Sequence, residues 1–289
     1  MGLKMSSVVG YAGRVAVGLC LLVAFGLPHA VAQDLFGFAN PWSPFVYPPG
    51  LRGEVNVTPI FLTIVRGQER IEAARPVVSN LRDQYGMTPE RLFLDTMVKL
   101  SVGRWSIRGY YEPRDFFGER VTLVSGVPTL AQARLDYSGI RIGGDVDIFL
   151  PYGIYLGANL DYDLYHPIFT EAIQPGSGVI LGSGKKIQGN APLTLGMHVV
   201  ANPVTSYYGM SPIFEARVRW PVSGAAVTDV ELSGGLRTPE TILGSVALKF
   251  GWRQTEISFT RPQVYNGLPV STDFDAVIGG WFGQFCYYY

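Results

Sequence analysis

Residues 153–165 read GIYLGANLDYDLY, and their period decides the fold class. Even positions hold Ile154, Leu156, Ala158, Leu160, Tyr162 and Leu164. Odd positions hold Tyr155, Gly157, Asn159, Asp161, Asp163 and Tyr165. Side chains that alternate at every residue belong to an extended strand with one apolar and one polar face; a helix would scatter the same residues around its circumference. The pattern recurs. Leu94, Thr96, Val98, Leu100 and Val102 alternate with Asp95, Met97, Lys99 and Ser101, and Trp105, Ile107, Gly109 and Tyr111 with Ser106, Arg108, Tyr110 and Glu112. Phe214, Ala216, Val218 and Trp220 interleave with Glu215, Arg217 and Arg219. Val230, Leu232, Gly234 and Leu236 interleave with Asp229, Glu231, Ser233 and Arg237.

Two architectures use such strands. A soluble sandwich or barrel turns the apolar face inward and the charged face to water. A membrane barrel inverts this, with lipid outside and a polar lumen. Three features favour inversion. Trp105, Tyr111, Trp220 and Trp252 mark strand ends on the apolar face, as an interfacial girdle requires. Tight connections at 103–104, 151–152 and 253–254 contrast with long polar connections at 114–133 and 166–190, the loop asymmetry of outer-membrane barrels. The third is the C-terminus: Tyr289, Tyr287, Phe285, Gly283, Trp281, Gly279 and Val277 share one face and end in aromatic rings.

On these residues the chain resembles bacterial outer-membrane β-barrel proteins over roughly residues 53–289. In that family the last strand ends in an aromatic residue and is read by the barrel-assembly machinery. The resemblance implies that Trp281, Phe285, Tyr287 and Tyr289 form the assembly signal, and that the partners are outer-membrane lipid and, during biogenesis, that machinery. Tyr289 stands where the family most often has Phe, and Gly283 sits one place out of the family's register.

Composition agrees. Only 16% of the 289 residues are charged, 47% are hydrophobic and 13% aromatic, against roughly 25% charged in ordinary soluble domains. The formal net charge of zero gives no signature of a nucleic-acid partner. The N-terminus carries Lys4 and Arg14, then the apolar run 15–27, then Ala30 and Ala32 at A-x-A spacing. This predicts an export signal over 1–32, since thirteen apolar residues fall short of the ~20 needed to span a bilayer. Cys286 is then the one thiol of the mature chain, which excludes an internal disulfide scaffold. Residues 33–52, rich in proline and aromatics, read as an irregular periplasmic segment, and 53–289 as the barrel.

The expected fold is therefore all-β: a transmembrane antiparallel up-and-down β-barrel of about twelve strands. Eleven are read at 53–66, 93–102, 105–113, 134–150 (with a bulge near Gly139), 153–165, 192–202, 212–220, 228–237, 241–252, 255–261 and 274–289. Both chain ends in the periplasm require an even number, so 177–183 is the candidate twelfth. The ten-strand alternative fuses 228–252 across Pro239. Residues 68–91 form the first outer loop, with room for a short helix.

The polar faces predict a lumen lined by Arg108, Glu112, Arg141, Asp145, Asp147, Asp161, Asp163, His198, Glu215, Arg217, Arg219, Glu231 and Arg237. Pairs such as Asp145 with Asp147, or Asp161 with Asp163, could bind calcium or act as acid and base, but the nearby arginines make salt-bridged walls the simpler reading. His166 and His198 stand in no nucleophile or metal motif, and the glycines at 182 and 184 precede no helix, so no catalytic residue, metal or cofactor is assigned. Two functions compete: a narrow passive channel for small solutes, and a closed barrel serving as a structural or binding module through its long outer loops. A lipid-modifying enzyme is third.

Overall fold

The computed structural model describes residues 51–72, 77–87, 90–124, 127–150, 154–175, 185–202, 210–239, 241, 243–265 and 268–289. The expected export signal, residues 33–50, the turn at 151–152 and the strand at 177–183 lie outside the described residues. From the N-terminal side the chain forms β1 (Leu51–Glu72), β2 (Val77–Asn80), the short helix α1 (Leu81–Tyr85), β3 (Arg91–Val102), β4 (Trp105–Glu112), β5 (Asp115–Val124), β6 (Val127–Asp136) and β7 (Gly139–Leu150). It continues through β8 (Ile154–Asp163), β9 (Ile168–Pro175), β10 (Lys185–Gln188), β11 (Leu193–Ala201), β12 (Ser211–Ser223), β13 (Ala226–Arg237), β14 (Ser245–Tyr265) and β15 (Leu268–Tyr288).

Ten strands close a ring in the order β15-β14-β13-β12-β11-β8-β7-β4-β3-β1, with β1 pairing back onto β15 and every pairing antiparallel. Closure extends to the last residue: Gly53 N donates to Tyr289 O at 2.8 Å and Tyr289 N to Gly53 O at 3.0 Å. The apolar faces point outward. Trp281 is 71% exposed and Phe250 75%, and Leu94, Val98, Ile107, Ile142 and Leu160 are also exposed. On β3 this outer face runs from Leu92 to Val102. Ten steps of about 3.3 Å, tilted about 40°, rise roughly 25 Å, the height of a hydrocarbon-facing band.

The strand count corrects the sequence expectation of about twelve. From Ser245 onward the segments read as 241–252 and 255–261 are one strand, β14, of 21 residues. Arg253 and Gln254, read as a turn, lie in mid-ladder opposite Gly280 and Gly279. Arg253 points inward while Gln254 stands where the outer face turns polar, so both faces are polar at once and imitate a turn. The ten-strand alternative had the right number by a different route, because β13 and β14 stay separate around a Thr241–Gly244 bridge. No inward strand is required between β8 and β11, which pair directly with Leu195 opposite Leu160. β1 starts two residues before the expected boundary, with Leu51 opposite Val102. The tight turn after β3 stands as expected, with Gly103 at φ 58°, a left-handed conformation that disfavours a β-carbon.

The two long connections are not irregular loops. β5–β6 leaves the ring between β4 and β7, β9–β10 leaves it between β8 and β11, and the two hairpins join through β6–β9 into a second sheet, β10-β9-β6-β5. Residues 134–150 are accordingly two strands in two sheets rather than one bulged strand. At the crossing, Tyr165 lies over Gly139, where an added β-carbon would sit 1.5 Å from a ring carbon.

Strand lengths explain where this cap rests. β1, β14 and β15 have 21 or 22 residues, whereas β4, β8 and β11 have 8 to 10. The long strands overshoot and offer an inward apolar wall of Ile60, Ile64, Ile257, Phe274 and Ile278. Leu135, Tyr137, Phe169 and Ile187 of the cap pack on it, with Leu81 and Tyr85 of α1. Phe169 sits 4.9 Å from Phe274, which stacks on Phe259 at 4.9 Å. The Asn80 side chain caps α1 by accepting from Arg82 N and Asp83 N. Tyr85 donates to Glu171, and burial together with that bond raises its phenol above the usual range, keeping the donor protonated. Phe169→Ala should cost the cap about 3–5 kcal/mol; hydrogen exchange in micelles should show β5, β6 and β9 losing protection while the barrel ladders keep theirs.

Candidate functional site: the charged lumen and its vestibule

The inward face of β14 reads Ser245, Ala247, Lys249, Gly251, Arg253, Thr255, Ile257 and Phe259, which stacks three zones along the barrel axis. The zone beneath the cap is the apolar core just described. The middle zone is ionic. Arg108 contacts Asp145 at 2.6 Å and Asp161 at 2.9 Å. Arg219 lies 3.9 Å from Asp161 and 2.8 Å from Asp229. Arg253 reaches Asp229 at 2.7 Å, Glu112 at 2.9 Å and Glu231 at 3.7 Å. Glu112 also meets Arg141 and Arg114, each at 3.0 Å, and Arg114 holds Asp95 at 2.6 Å. Asp163 stands opposite Arg141 in the β7–β8 ladder, with Oδ2 buried and without a hydrogen-bond partner among the described residues.

This network crosses the barrel instead of following its wall. β14 and β4 are four strands apart by the shorter way round, yet Arg253 bonds to Glu112. β12 and β4 are also four apart, and Arg217 donates to Tyr110 OH at 2.7 Å. Arg108 is 2% exposed and Arg219 1%, so a water-sized sphere barely touches them. Side chains lining an open aqueous path would be accessible to it. Paired guanidinium and carboxylate groups fill the cross-section because an isolated charge there would carry a desolvation penalty of several kcal/mol.

The third zone, at the end bearing Gly103 and Tyr289, is a cavity of about 430 Å³. Here lie Asp147, His198, Glu215, Arg217 and Arg237 of the expected lumen set. Asp147 is held by Lys99 at 3.3 Å and by His198 Nε2 at 2.9 Å. Glu215 is held by Arg217 at 2.7 Å and Lys249 at 2.8 Å. Arg237 donates from Nε to Ser245 Oγ at 2.8 Å, and its guanidinium lies 4.4 Å over the Tyr288 ring. His198 Nδ1 has no hydrogen-bond partner among the described residues. His166 is exposed beyond the end of β8. Among the described residues no group of three or more His, Cys, Asp or Glu side chains is placed to hold a metal.

The residues expected in the lumen thus divide between the ionic zone and the cavity, while Trp281, Phe285, Tyr287 and Tyr289 lie on the outer face. Sequence reading left out Arg253, Arg114, Asp95, Lys99, Asp229 and Lys249. Asp95, Lys99 and Asp229 stood on the polar rows already, and Lys249 lay in the strand read at 241–252; Arg253 was hidden in an apparent turn and Arg114 in an apparent loop. The buried Cys286 thiol faces inward near the cavity end.

No protein-family model matches the chain, and no curated protein matches it in sequence. Among solved structures, the toluene transporter TodX of P. putida aligns over 84% of this chain and 91% of its own, at 7% identity and TM-score 0.29. The translocator domain of the autotransporter NalP from Neisseria meningitidis aligns over 90% and 96%, at 12% identity and TM-score 0.35. A FadL homologue of Pseudomonas aeruginosa aligns over 83% and 89%, at 8% identity and TM-score 0.34. With every score below 0.5, the fold and the functional reading rest on this chain's own ladders and side chains.

Arg253 is the member whose loss strands the most charge. Arg253→Met should destabilise the barrel by about 3–5 kcal/mol by leaving Asp229 and Glu112 short of a partner. Pairing it with Asp229→Leu should restore part of that loss. Urea unfolding in micelles, followed by the heat-dependent electrophoretic shift of the folded barrel, measures both.

Proposed function

We propose that this protein is a bacterial outer-membrane barrel closed to solutes, which anchors a folded β-sheet cap at the cell surface as a structural or binding module. The apolar outer face, about one hydrocarbon thickness tall, supports the membrane setting. The hairpins that build the cap leave the ring at the rim opposite Gly103 and Tyr289; extended connections belong to the outer side of such barrels, which supports a periplasmic setting for the Gly103 rim and an outer one for the cap. Export through the N-terminal signal brings the chain there.

The observation that carries the closed reading is the ionic zone, whose members are buried and bonded across the lumen. The apolar core above it adds a second seal. Together they favour this reading over the narrow passive channel, which needs an accessible path between the charged rows. A lipid-modifying activity has less support, since among the described residues His198 meets Asp147 by hydrogen bond and lies at the rim away from the cap.

The outward aromatic face of β15 fits the role of the assembly signal. Tyr287 and Tyr289 stack at 6.0 Å, and both rings are accessible from outside the ring of strands.

Full-length protein inserted in planar bilayers should give no discrete conductance steps. A steady ionic current from each inserted barrel would overturn the closed reading. For assembly, Tyr289→Phe should fold into the outer membrane at wild-type yield and Tyr289→Lys at a several-fold lower yield, scored by the heat-modifiable fraction; equal yields would remove the signal from this face.

A further inference from the structure

We propose that the cavity at the turn end is a binding site for a small organic anion with an apolar body, seated on Arg237. The site faces the rim opposite the cap and does not depend on whether the barrel conducts. Its volume of about 430 Å³ lies within the range of about 300–1,000 Å³ in which proteins enclose small ligands. Three observations give the ligand its chemistry.

The first is how the charges on the cavity wall are paired. Arg52, Lys99, Arg217 and Arg237 stand with three carboxylates, Glu54, Asp147 and Glu215, while Arg108 on the floor belongs to Asp145 and Asp161 of the ionic zone. Two of those carboxylates are already committed. Asp147 has both Lys99 and His198, and Glu215 has both Arg217 and Lys249. Glu54 accepts from Asn56 at 2.9 Å. The carboxylates of the wall are thus engaged by groups other than Arg237.

The second is Arg237 itself. Its recorded partners are the Ser245 hydroxyl at Nε and the face of Tyr288; no carboxylate meets it among the described residues. A guanidinium fixed at Nε and stacked on an aromatic ring keeps both terminal nitrogens oriented, which is how arginine receives a carboxylate or phosphate through two parallel bonds. The ring and the hydroxyl fix the side chain in advance, so little rotamer freedom is lost on binding.

The third is the apolar surface beside that cation. Val200 and Ile213 line the cavity from the neighbouring strands and pack in one small cluster with Tyr288, and Met97 lines it from β3. An apolar patch next to a single oriented cation selects a compact amphipathic anion over a bare inorganic ion. A carboxylate and a phosphate monoester share that chemistry.

The test uses the full-length protein in detergent micelles, with binding read by titration calorimetry. The probes are cyclohexanecarboxylate and cyclohexyl phosphate, with cyclohexylamine and cyclohexanol as controls for the apolar body alone. Saturable binding of either anion, and of neither control, is expected; whichever anion binds more tightly names the headgroup. Arg237→Gln should weaken it at least about tenfold, Arg237→Lys should retain part of it, and Val200→Trp should abolish it by filling the cavity while every charge stays in place. The surface variant Arg120→Gln, in the cap, should bind as wild type does. Should Arg237→Gln fail to assemble, Arg237→Lys and Val200→Trp decide. Equal binding by wild type and Val200→Trp, equal affinity for cyclohexanol, or no saturable binding of either anion would overturn the proposal.

Discussion

A strand in hydrocarbon has nowhere to place its peptide hydrogen bonds except on another strand, and a sheet with an apolar outer face is stable only if it has no free edge. The β1–β15 ladder meets that demand, from Glu54 opposite Tyr288 to Glu72 opposite Ser271, with one register shift near Ile64. Everything else in the molecule follows from the ring it closes. Alternate residues must face inward, whatever they are, and the ten-strand lumen so enclosed has to be filled or left wet.

The chain fills it twice, by different means. In the middle zone, opposite charges from strands on facing walls meet and satisfy one another. Towards the cap end the inward residues change to isoleucine, leucine and phenylalanine, and these would be exposed to water if the barrel simply ended there. The hydrophobic effect resolves this by drawing β5–β6 and β9–β10 over the rim, where Phe169, Leu135 and Ile187 bury against the overshooting strands. The cap is thus a small soluble-type core built on a membrane-type wall. At the other rim the described residues form only a small apolar cluster of Ile213, Ala247, Cys286 and Val200, and the charged lining opens into the cavity that holds Arg237, Lys99 and His198.

The alternation in 153–165 was sufficient to orient β8: Ile154, Leu156, Leu160 and Tyr162 face outward, and Asn159, Asp161 and Asp163 are buried inside. The same local signal misled at two places, for reasons that lie in three dimensions. At Arg253–Gln254 the outer face leaves the apolar band one residue away from a lumen charge, and the strand passes through with no apolar side chain to mark it. At 134–150 the alternation changes phase because the chain changes sheet: Leu135 and Tyr137 serve the cap core, and Ile140 and Ile142 face outward from the barrel. A bulge and a change of sheet leave the same trace in one dimension. The polar connections 114–133 and 166–190 hid two hairpins, since each pairs with a segment about forty residues distant, through β6–β9.

What the sequence by itself determined is which side chains share a face and that the apolar faces end in aromatic residues, because a strand's side-chain period is a local property of the extended backbone. Which charges neutralise one another, whether the lumen is filled, and where a cation is left without a carboxylate were decided only by tertiary structure. Those depend on which strands stand opposite across the ring. Arg253 finds Glu112 across 141 residues, and Arg237 finds Tyr288 but no acid; strand order and register, not neighbourhood in the chain, set both distances.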